Sequence, residues 1–246
     1  MKLSKNFELL HREDELDLFI PVDLTNPPRP AEPSPVLVKE RIHEEIEKLV
    51  QRLFLHAGPT EVPRIVSFSS IENEKRSSWI CAQAAKALAI QSNRSVCVVD
   101  ANLGSPQLHL HFHAENVLGL ADALLSKGLI RTFARPLAIA KLSLMPAGSA
   151  TADLYADLER LRLRFRELRE QFDYVLISTS SVSRENGAIV VGQRVDGMVL
   201  IVEANQVRRD VVLQAKQRLN DAKVQLLGAV LDRRTFPIPE SLYRKL

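Results

Sequence analysis

The sequence predicts an α/β protein with a doubly wound, mostly parallel sheet. Short runs of β-branched residues alternate with helical segments from Pro63 onward, as in strands joined by crossover helices. The runs are apolar along their whole length, which is expected where helices cover both faces of a parallel sheet. Ligands bind such sheets at the carboxyl ends of the strands, so we expect functional residues at that edge.

These runs place the elements of a main domain over residues 62–235. The predicted strands are Ile65–Ser69, Val96–Asp100, Leu142–Met145, Tyr174–Ser178, Met198–Val202 and Leu226–Leu231. The predicted helices are Ser77–Gln91, Leu118–Ser126, Ala152–Gln171, Gly187–Arg194 and Arg208–Lys223.

Three further segments lie outside the main domain. Residues 21–35 hold six of the 13 prolines, so residues 1–34 are predicted to form an extended, Pro-rich tether. Residues 35–58 predict an amphipathic helix whose apolar stripe must pack on the main domain or on another chain. The stripe comprises Val36, Ile42, Ile46, Leu49, Val50, Leu53 and Phe54. Residues 236–246 form a C-terminal tail with one tyrosine, Tyr243.

Composition and charge argue against several classes of function. The net charge of +3, from 33 basic and 30 acidic residues, is too balanced to require nucleic acid, and none is expected. No apolar run approaches the roughly 20 residues of a membrane span, and the charged N-terminus lacks a secretory signal. Both cysteines lie in apolar stretches, which suggests a reducing compartment. We expect a cytoplasmic protein that reaches the inner face of the membrane only through a partner.

The segment after the first strand has the layout of a phosphate-binding loop. The strand RIVSFSS runs into IENEKRSS and then into the helix WICAQAAKALA. In a P-loop, backbone N–H groups surround the phosphates, a lysine reaches their oxygens and a Ser/Thr hydroxyl ligates Mg²⁺. Glycines normally permit the close approach of backbone to phosphate, and here they are replaced.

The second strand and the residues after it, VCVVDANLGSPQLHLHF, resemble the "LLIDaDlrrPxLHxxF" segment of the bacterial tyrosine kinases of capsule and exopolysaccharide synthesis. Those kinases are relatives of the MinD/ParA ATPases. The resemblance covers about residues 36–235, and the loose match of EEIEKLVQRLFL extends it to the N-terminal helix. The other similar segments, in order, are GLADALLSKG, LSLMPAGSATADLYADLERL, FDYVLISTSSV, VDGMVLIVEANQVRRDVV and LLGAVLDR. The resemblance implies that the Ile65, Val96 and Tyr174 strands are close together and that their carboxyl ends converge on residues 70–78.

The resemblance also implies a candidate nucleotide site with several replacements. Asn73 and Lys75 take the positions of the two loop glycines. A left-handed conformation at Lys75 would cost about 1–2 kcal/mol. Arg76 stands at the lysine, Ser77 keeps the metal-binding hydroxyl, and Asp232 stands at an adenine-side Asn. The candidate cofactor-binding residues are Asn73, Glu74, Lys75, Arg76, Ser77, Ser78 and Asp232.

The acidic positions of the site are also reduced. The counterparts of the family's catalytic and metal-binding carboxylates are Asp100, Asn102 and Ser178, and only Asp100 is still an acid. Mg²⁺ prefers carboxylate and phosphate oxygens, so neither catalysis nor a metal at Ser77, Asp100 and Ser178 is expected. Asp100 is interpreted as structural. Whether ATP or ADP still binds, through the basic residues and the helix N-terminus, stays open.

Three hypotheses for the function follow from the resemblance. The favoured one is a degenerate, regulatory or binding subunit of polysaccharide synthesis and export. Its partner would be an inner-membrane polysaccharide co-polymerase or a kinase paralogue, and homo-oligomers are compatible with it. The alternative is a divergent active ATPase or protein-tyrosine kinase that uses Lys75 or Arg76 as the phosphate-binding cation. The third is a MinD/ParA-like positioning protein.

Two further patterns are given the simpler interpretation. His109, His111 and His113 alternate, as on one side of a strand, and a solvated edge is favoured over a metal site. Arginines flank both sides of the apolar stripe of helix 152–171, and a solvated helix packed on the sheet is favoured over a surface for nucleic acid or an acidic partner. These are Arg160, Arg162, Arg164, Arg166 and Arg169.

Overall fold

A computed structural model describes residues 35–55, 62–149 and 157–232, and for residues 35–41 it describes the backbone only. The predicted tether 1–34 and the C-terminal tail with Tyr243 lie outside the described residues. So do residues 152–156, which the sequence predicts as the start of a helix.

Strands and helices alternate along the described chain. The strands are β1 (Ile65–Ser70), β2 (Val96–Asp100), β3 (Arg135–Pro136), β4 (Leu142–Met145), β5 (Tyr174–Ser178), β6 (Gly197–Glu203) and β7 (Leu226–Asp232). The α-helices are α1 (Pro35–Val50), α2 (Glu74–Ser92), α3 (Leu120–Leu125), α4 (Leu158–Gln171), α5 (Gly187–Gly192) and α6 (Arg209–Asp221). A π-helical turn, Gln51–Leu55, follows α1, and 3-10 helices lie at Leu108–Phe112 and Ile130–Phe133.

The strands form one sheet in the order β3-β4-β2-β5-β1-β6-β7. All pairings are parallel except that of β3 with β4. The predicted doubly wound, mostly parallel sheet is therefore confirmed, and β2, β5 and β1 are neighbours as expected. The sequence analysis did not predict β3, a two-residue strand at the edge of the sheet. The strand contains Pro136, and proline usually argues against a strand because it lacks a backbone donor; it is tolerated at an edge, where that donor is not needed.

Helices cover both faces of the sheet, and alternate residues of each strand point to opposite faces. On one face, Val66 and Phe68 of β1 pack with the apolar side of α2. On the other, Ile65 packs in a cluster with α3 and α4. A third cluster joins β6 to α5 and α6. The two cysteines, Cys81 and Cys97, are buried and free.

The part of the apolar stripe that follows Ile42 is buried against its own domain. Ile46, Leu49 and Val50, with Leu53 and Phe54 of the following turn, are each at most 5% exposed and belong to the same cluster as the buried face of α2. The hydrophobic effect therefore places α1 on the main domain, and no second chain is needed to cover these side chains.

The arginines of α4 differ from the predicted solvated face. Arg164 is only 4% exposed, and its guanidinium donates to the carbonyl oxygens of Ala123, Ser126 and Gly128. Arg160 donates to another carbonyl of the α3 segment. Part of this basic pattern therefore holds the α3 region against α4, because a guanidinium can satisfy several carbonyl groups at once.

Candidate functional site

The structure brings the predicted site residues together at the carboxyl edge of the sheet. Asp100 and Ser178, the last residues of β2 and β5, are register partners. Asn102 lies just beyond β2 and contacts the first residue of α2, Glu74, through a side-chain hydrogen bond of 3.0 Å. The ends of these strands therefore converge on residues 70–78, as the sequence predicts. The roles of these residues in binding stay predictions.

The loop between β1 and α2 is short and contains no left-handed residue. Only residues 71–73 separate the two elements, and Asn73 is extended, with φ −103° and ψ 94°. Residues 70–78 include no positive φ, so the strain considered at Lys75 does not arise. The sequence predicted a helix from Ser77. The helix instead begins at Glu74, because Glu, Lys and Arg are good helix formers and no glycine interrupts them.

The Glu74 carboxylate occupies the space between the ends of two strands. One oxygen accepts the Asn102 side-chain amide at 3.0 Å, and the other accepts the Ser181 backbone N–H at 3.3 Å and its hydroxyl at 3.4 Å. This acidic group lies at the N-terminal end of α2, where the helix dipole favours a negative charge.

Arg76 is directed away from Glu74 and toward the end of β7. Its guanidinium donates in bidentate geometry to the Asp232 carboxylate, at 2.5 and 2.6 Å, and stacks 4.8 Å from the centroid of the Trp79 ring. Asp232 is fully buried, and a bidentate Arg–carboxylate pair is geometrically demanding. Arg76 is therefore engaged, whereas Lys75 is exposed on the first turn of α2.

The two serines that follow are used within the protein. The Ser77 hydroxyl donates to the carbonyl of Glu74 at 3.0 Å, and the Ser78 hydroxyl donates to the carbonyl of Lys75 at 3.1 Å. The Ser78 oxygen also lies 3.0 Å from Nε2 of His111. Hydroxyls bonded to their own helix in this way compete with any external ligand.

Asp100 organises the backbone beyond β2. It accepts the N–H of Asn102 at 3.1 Å and those of Gln107 and Leu108 at 3.0 and 2.9 Å. Burial raises the pKa of this carboxyl to about 6, against the three backbone donors, and the nearby Glu74 charge adds to the rise. A carboxylate with this many protein donors has little capacity left for a metal ion.

In this arrangement a Mg²⁺–nucleotide complex does not fit the residues present. The backbone of residues 74–78 is helical, and Arg76 is already paired with Asp232. Neither Asn102 nor Ser178 offers a carboxylate, and the described ranges contain no group of three or more His, Cys, Asp or Glu that could hold a metal. HLHFH is also not a strand: Leu108–Phe112 is a 3-10 helix, so the alternation of its histidines does not place them in one row.

Two contacts of the site escaped the sequence analysis. Ser181 follows β5 in the segment FDYVLISTSSV, and its pairing with Glu74 depends on the spatial neighbourhood of β1 and β5. Trp79 was read as part of a helix, although an arginine three residues before an aromatic ring on one helix face is a recognisable pattern for stacking.

Fold and site together define a class of protein, an α/β protein of the P-loop type. No family model matches the chain. Its curated relatives include tyrosine-protein kinase YwqD of Bacillus subtilis, 25% identical over 181 residues, covering 68% of this chain and 76% of the relative. The putative tyrosine-protein kinase CapB of Staphylococcus aureus is 24% identical over 192 residues, covering 72% and 84%. Tyrosine-protein kinase wzc of Salmonella typhi is 25% identical over 172 residues, which is 68% of this chain and 24% of that protein. The resemblance to bacterial tyrosine kinases is thus confirmed.

Solved structures share the fold. The chimerical protein CapA2B2 superposes with a TM-score of 0.71 at 22% identity, covering 78% of this chain and 85% of that one. The kinase domain of Escherichia coli tyrosine kinase ETK gives 0.69 at 22% identity, covering 80% and 78%. The septum site-determining protein MinD of Pyrococcus horikoshii OT3, in complex with Mg-ADP, gives 0.59 at 20% identity, covering 71% and 74%. At these identities the likeness concerns the fold. None of the helices among the described residues is both long and apolar enough to cross a membrane.

Proposed function

We propose that this chain is a non-catalytic relative of the bacterial tyrosine kinases and serves as a regulatory or binding subunit of capsule or exopolysaccharide synthesis. The observation that carries the proposal is the bidentate pairing of Arg76, at the lysine position, with the buried Asp232 carboxylate. Phosphoryl transfer depends on positioning and on neutralisation of phosphate charge. A guanidinium held by a carboxylate is not available to neutralise phosphate.

The rest of the site supports the same proposal. The basic residue at the lysine position, Arg76, neutralises Asp232 rather than a ligand. The one retained acid, Asp100, accepts three backbone donors. Arg76 and Asp100 thus have structural partners at this edge of the sheet, whereas Lys75 is exposed.

The partner follows from the resemblance and from the relatives' names. A subunit without kinase activity acts by contact, so we propose an inner-membrane polysaccharide co-polymerase or a kinase paralogue as its partner, at the cytoplasmic face of the membrane. This assignment rests on likeness of fold and sequence to named kinases. Co-purification from membranes with and without detergent is the direct way to find the partner.

We expect no Mg²⁺-dependent ATP turnover above a buffer blank. The reason is that Asn102 and Ser178 provide no carboxylate for the metal and that Arg76 is held by Asp232. Release of inorganic phosphate from ATP, measured with purified full-length protein at millimolar Mg²⁺, tests the expectation. Turnover that is lost in Lys75→Ala and kept in Lys216→Ala, an exposed lysine on α6, would overturn the proposal.

That outcome would establish the second candidate function, a divergent ATPase or tyrosine kinase. A specific observation favours it over the use of Arg76: Lys75 is exposed on the first turn of α2, whereas Arg76 is held by Asp232. The third candidate, a positioning protein of the MinD/ParA type, would instead show DNA binding that weakens steeply with salt.

The oligomeric state is expected to be insensitive to ATP and to phosphatase. Arg76 at the candidate site is paired with Asp232, and Ile46, Leu49 and Val50 of the α1 stripe are already covered by their own domain. Light scattering of the full chain, with and without ATP–Mg²⁺ and after phosphatase treatment, should give one unchanged mass. An ATP-driven change in mass would show that the site still signals, and the non-catalytic proposal would then fail.

A further inference from the structure

A cluster of basic side chains lies beside the 3-10 helix Leu108–Phe112, on three different elements. The basic cluster comprises Lys86 of α2, His109 and His111 of the 3-10 helix, and Arg135 of β3. All four side chains are half-buried. Half-buried cations normally have carboxylate partners, because burial without a counter-charge is costly. The next question is therefore what each of these groups contacts.

Among residues 42–55, 62–149 and 157–232, whose side chains the structure describes, no carboxylate forms an ion pair with the basic cluster. Lys86 reaches the carbonyl oxygen of His111 at 3.4 Å and lies 4.9 Å from the centroid of the Phe112 ring. The Nδ1 atom of His109 is buried and has no hydrogen-bond partner. Two of the four groups thus have donor capacity that the described protein leaves unused.

The members of the basic cluster also act on one another electrostatically. Burial lowers the pKa of His111, and the charges of Lys86 and His109 lower it further. Burial lowers the pKa of His109 as well, with the Arg135 guanidinium beside it adding to the effect. Burial lowers the pKa of Lys86. The neighbouring charges thus disfavour protonation of the two histidines, and an anion placed there would offset that effect.

We propose that Lys86, His109, His111 and Arg135 form a binding site for a phosphate-class oxyanion. The planar guanidinium suits two phosphate oxygens at once, and the ammonium and imidazole groups add single donors. The site is separate from the Glu74 edge, although His111 contacts Ser78 on the second turn of α2. It does not depend on whether the chain hydrolyses ATP. The shared chemistry is the phosphate group, either free or as the ester of a sugar.

Histidine signals in NMR spectra provide the test with the intact protein. Inorganic phosphate and glucose 1-phosphate are titrated separately at pH 6.5 and constant ionic strength, with chloride as the control ion. The expected result is a saturable shift of the His109 and His111 ring signals with either phosphate, and a rise in their pKa values, because a bound dianion favours imidazolium. A tenfold preference for one probe identifies the free ion or the ester as the source.

Two variants make the test specific. Arg135→Gln should weaken phosphate binding at least tenfold, whereas Arg162→Gln, on the exposed side of α4, should bind as the wild type does. Lys86→Gln should weaken it comparably, so a folding defect in one variant cannot decide the outcome. Histidine signals that shift no more with either phosphate than with chloride, or an Arg135→Gln variant with wild-type affinity, would overturn the proposal.

Discussion

Replacing Asp100 with alanine should lower the free energy of unfolding by about 3 kcal/mol at pH 5, because three buried N–H groups would lose their acceptor. These are the backbone N–H groups of Asn102, Gln107 and Leu108. Chemical denaturation of the wild type and of the variant measures the difference. The exposed Asp210→Ala variant, whose carboxylate contacts only Arg208 in the described structure, should stay within about 0.5 kcal/mol.

The same variant has an expected pH dependence. The pKa of Asp100 is raised by burial to about 6 in the folded protein, against an ordinary value of 3.8. Between these values the native state binds more protons than the unfolded state. The stability associated with the protonated carboxyl is thus fully present below pH 3.8 and is lost as the pH rises through about 6. The deficit of Asp100→Ala should therefore be larger at pH 5 than at pH 8. An alanine variant that is as stable as the wild type at pH 5 would contradict the structural role of Asp100.

Replacing Arg164 with alanine is expected to be comparably severe, with a loss of about 2–4 kcal/mol. Arg164 is 4% exposed, and its guanidinium holds one carbonyl group of α3 and two of the segment that follows it, with Glu167 as a fourth partner at 2.6 Å. Truncation removes the donor from all three carbonyls, which are buried or part-buried. The transition midpoint in thermal unfolding, followed by circular dichroism, should fall accordingly.

The helix itself supplies a matched control for this prediction. Arg162 has a side chain that is 62% exposed and a single described contact with Glu159 at 3.8 Å, so Arg162→Ala should change stability by less than about 0.5 kcal/mol. Arg164→Lys should rescue little, because an ammonium cannot reproduce the planar fork. If the alanine variants of the two arginines lost equal stability, the buried network would not be what fixes α3 to α4.

The strands could be predicted from sequence because each strand of a parallel sheet buried on both faces is a continuous run of apolar residues. Val96–Asp100 and Tyr174–Ser178 begin and end where the apolar runs do. The edge strand β3 has no such apolar run, since it consists of only two residues, Arg135 and Pro136. The histidine alternation was equally uninformative, because a short 3-10 helix and a strand can carry the same polar pattern.

The candidate site was predictable in position but only partly in its interactions. Local sequence indicated that Glu74, Asn102 and the end of β5 would meet, since parallel strands end at one edge. It could not indicate that Arg76 would turn toward Asp232, 156 residues further along the chain. That pairing depends on the position of β7 two strands away from β1. Sequence spacing alone carries no information about it.

The length of helix α2 has a mechanical consequence. It is 19 residues long, so it is a stiff rod of about 28 Å. Its first turn presents Glu74 to the strand ends, its second turn contacts His111, and its apolar face carries α1. A partner that pulled the first turn away from Asn102 would therefore move the whole rod, and the displacement would be passed on to α1. Helix α2 therefore links the strand ends at the candidate site to the N-terminal helix.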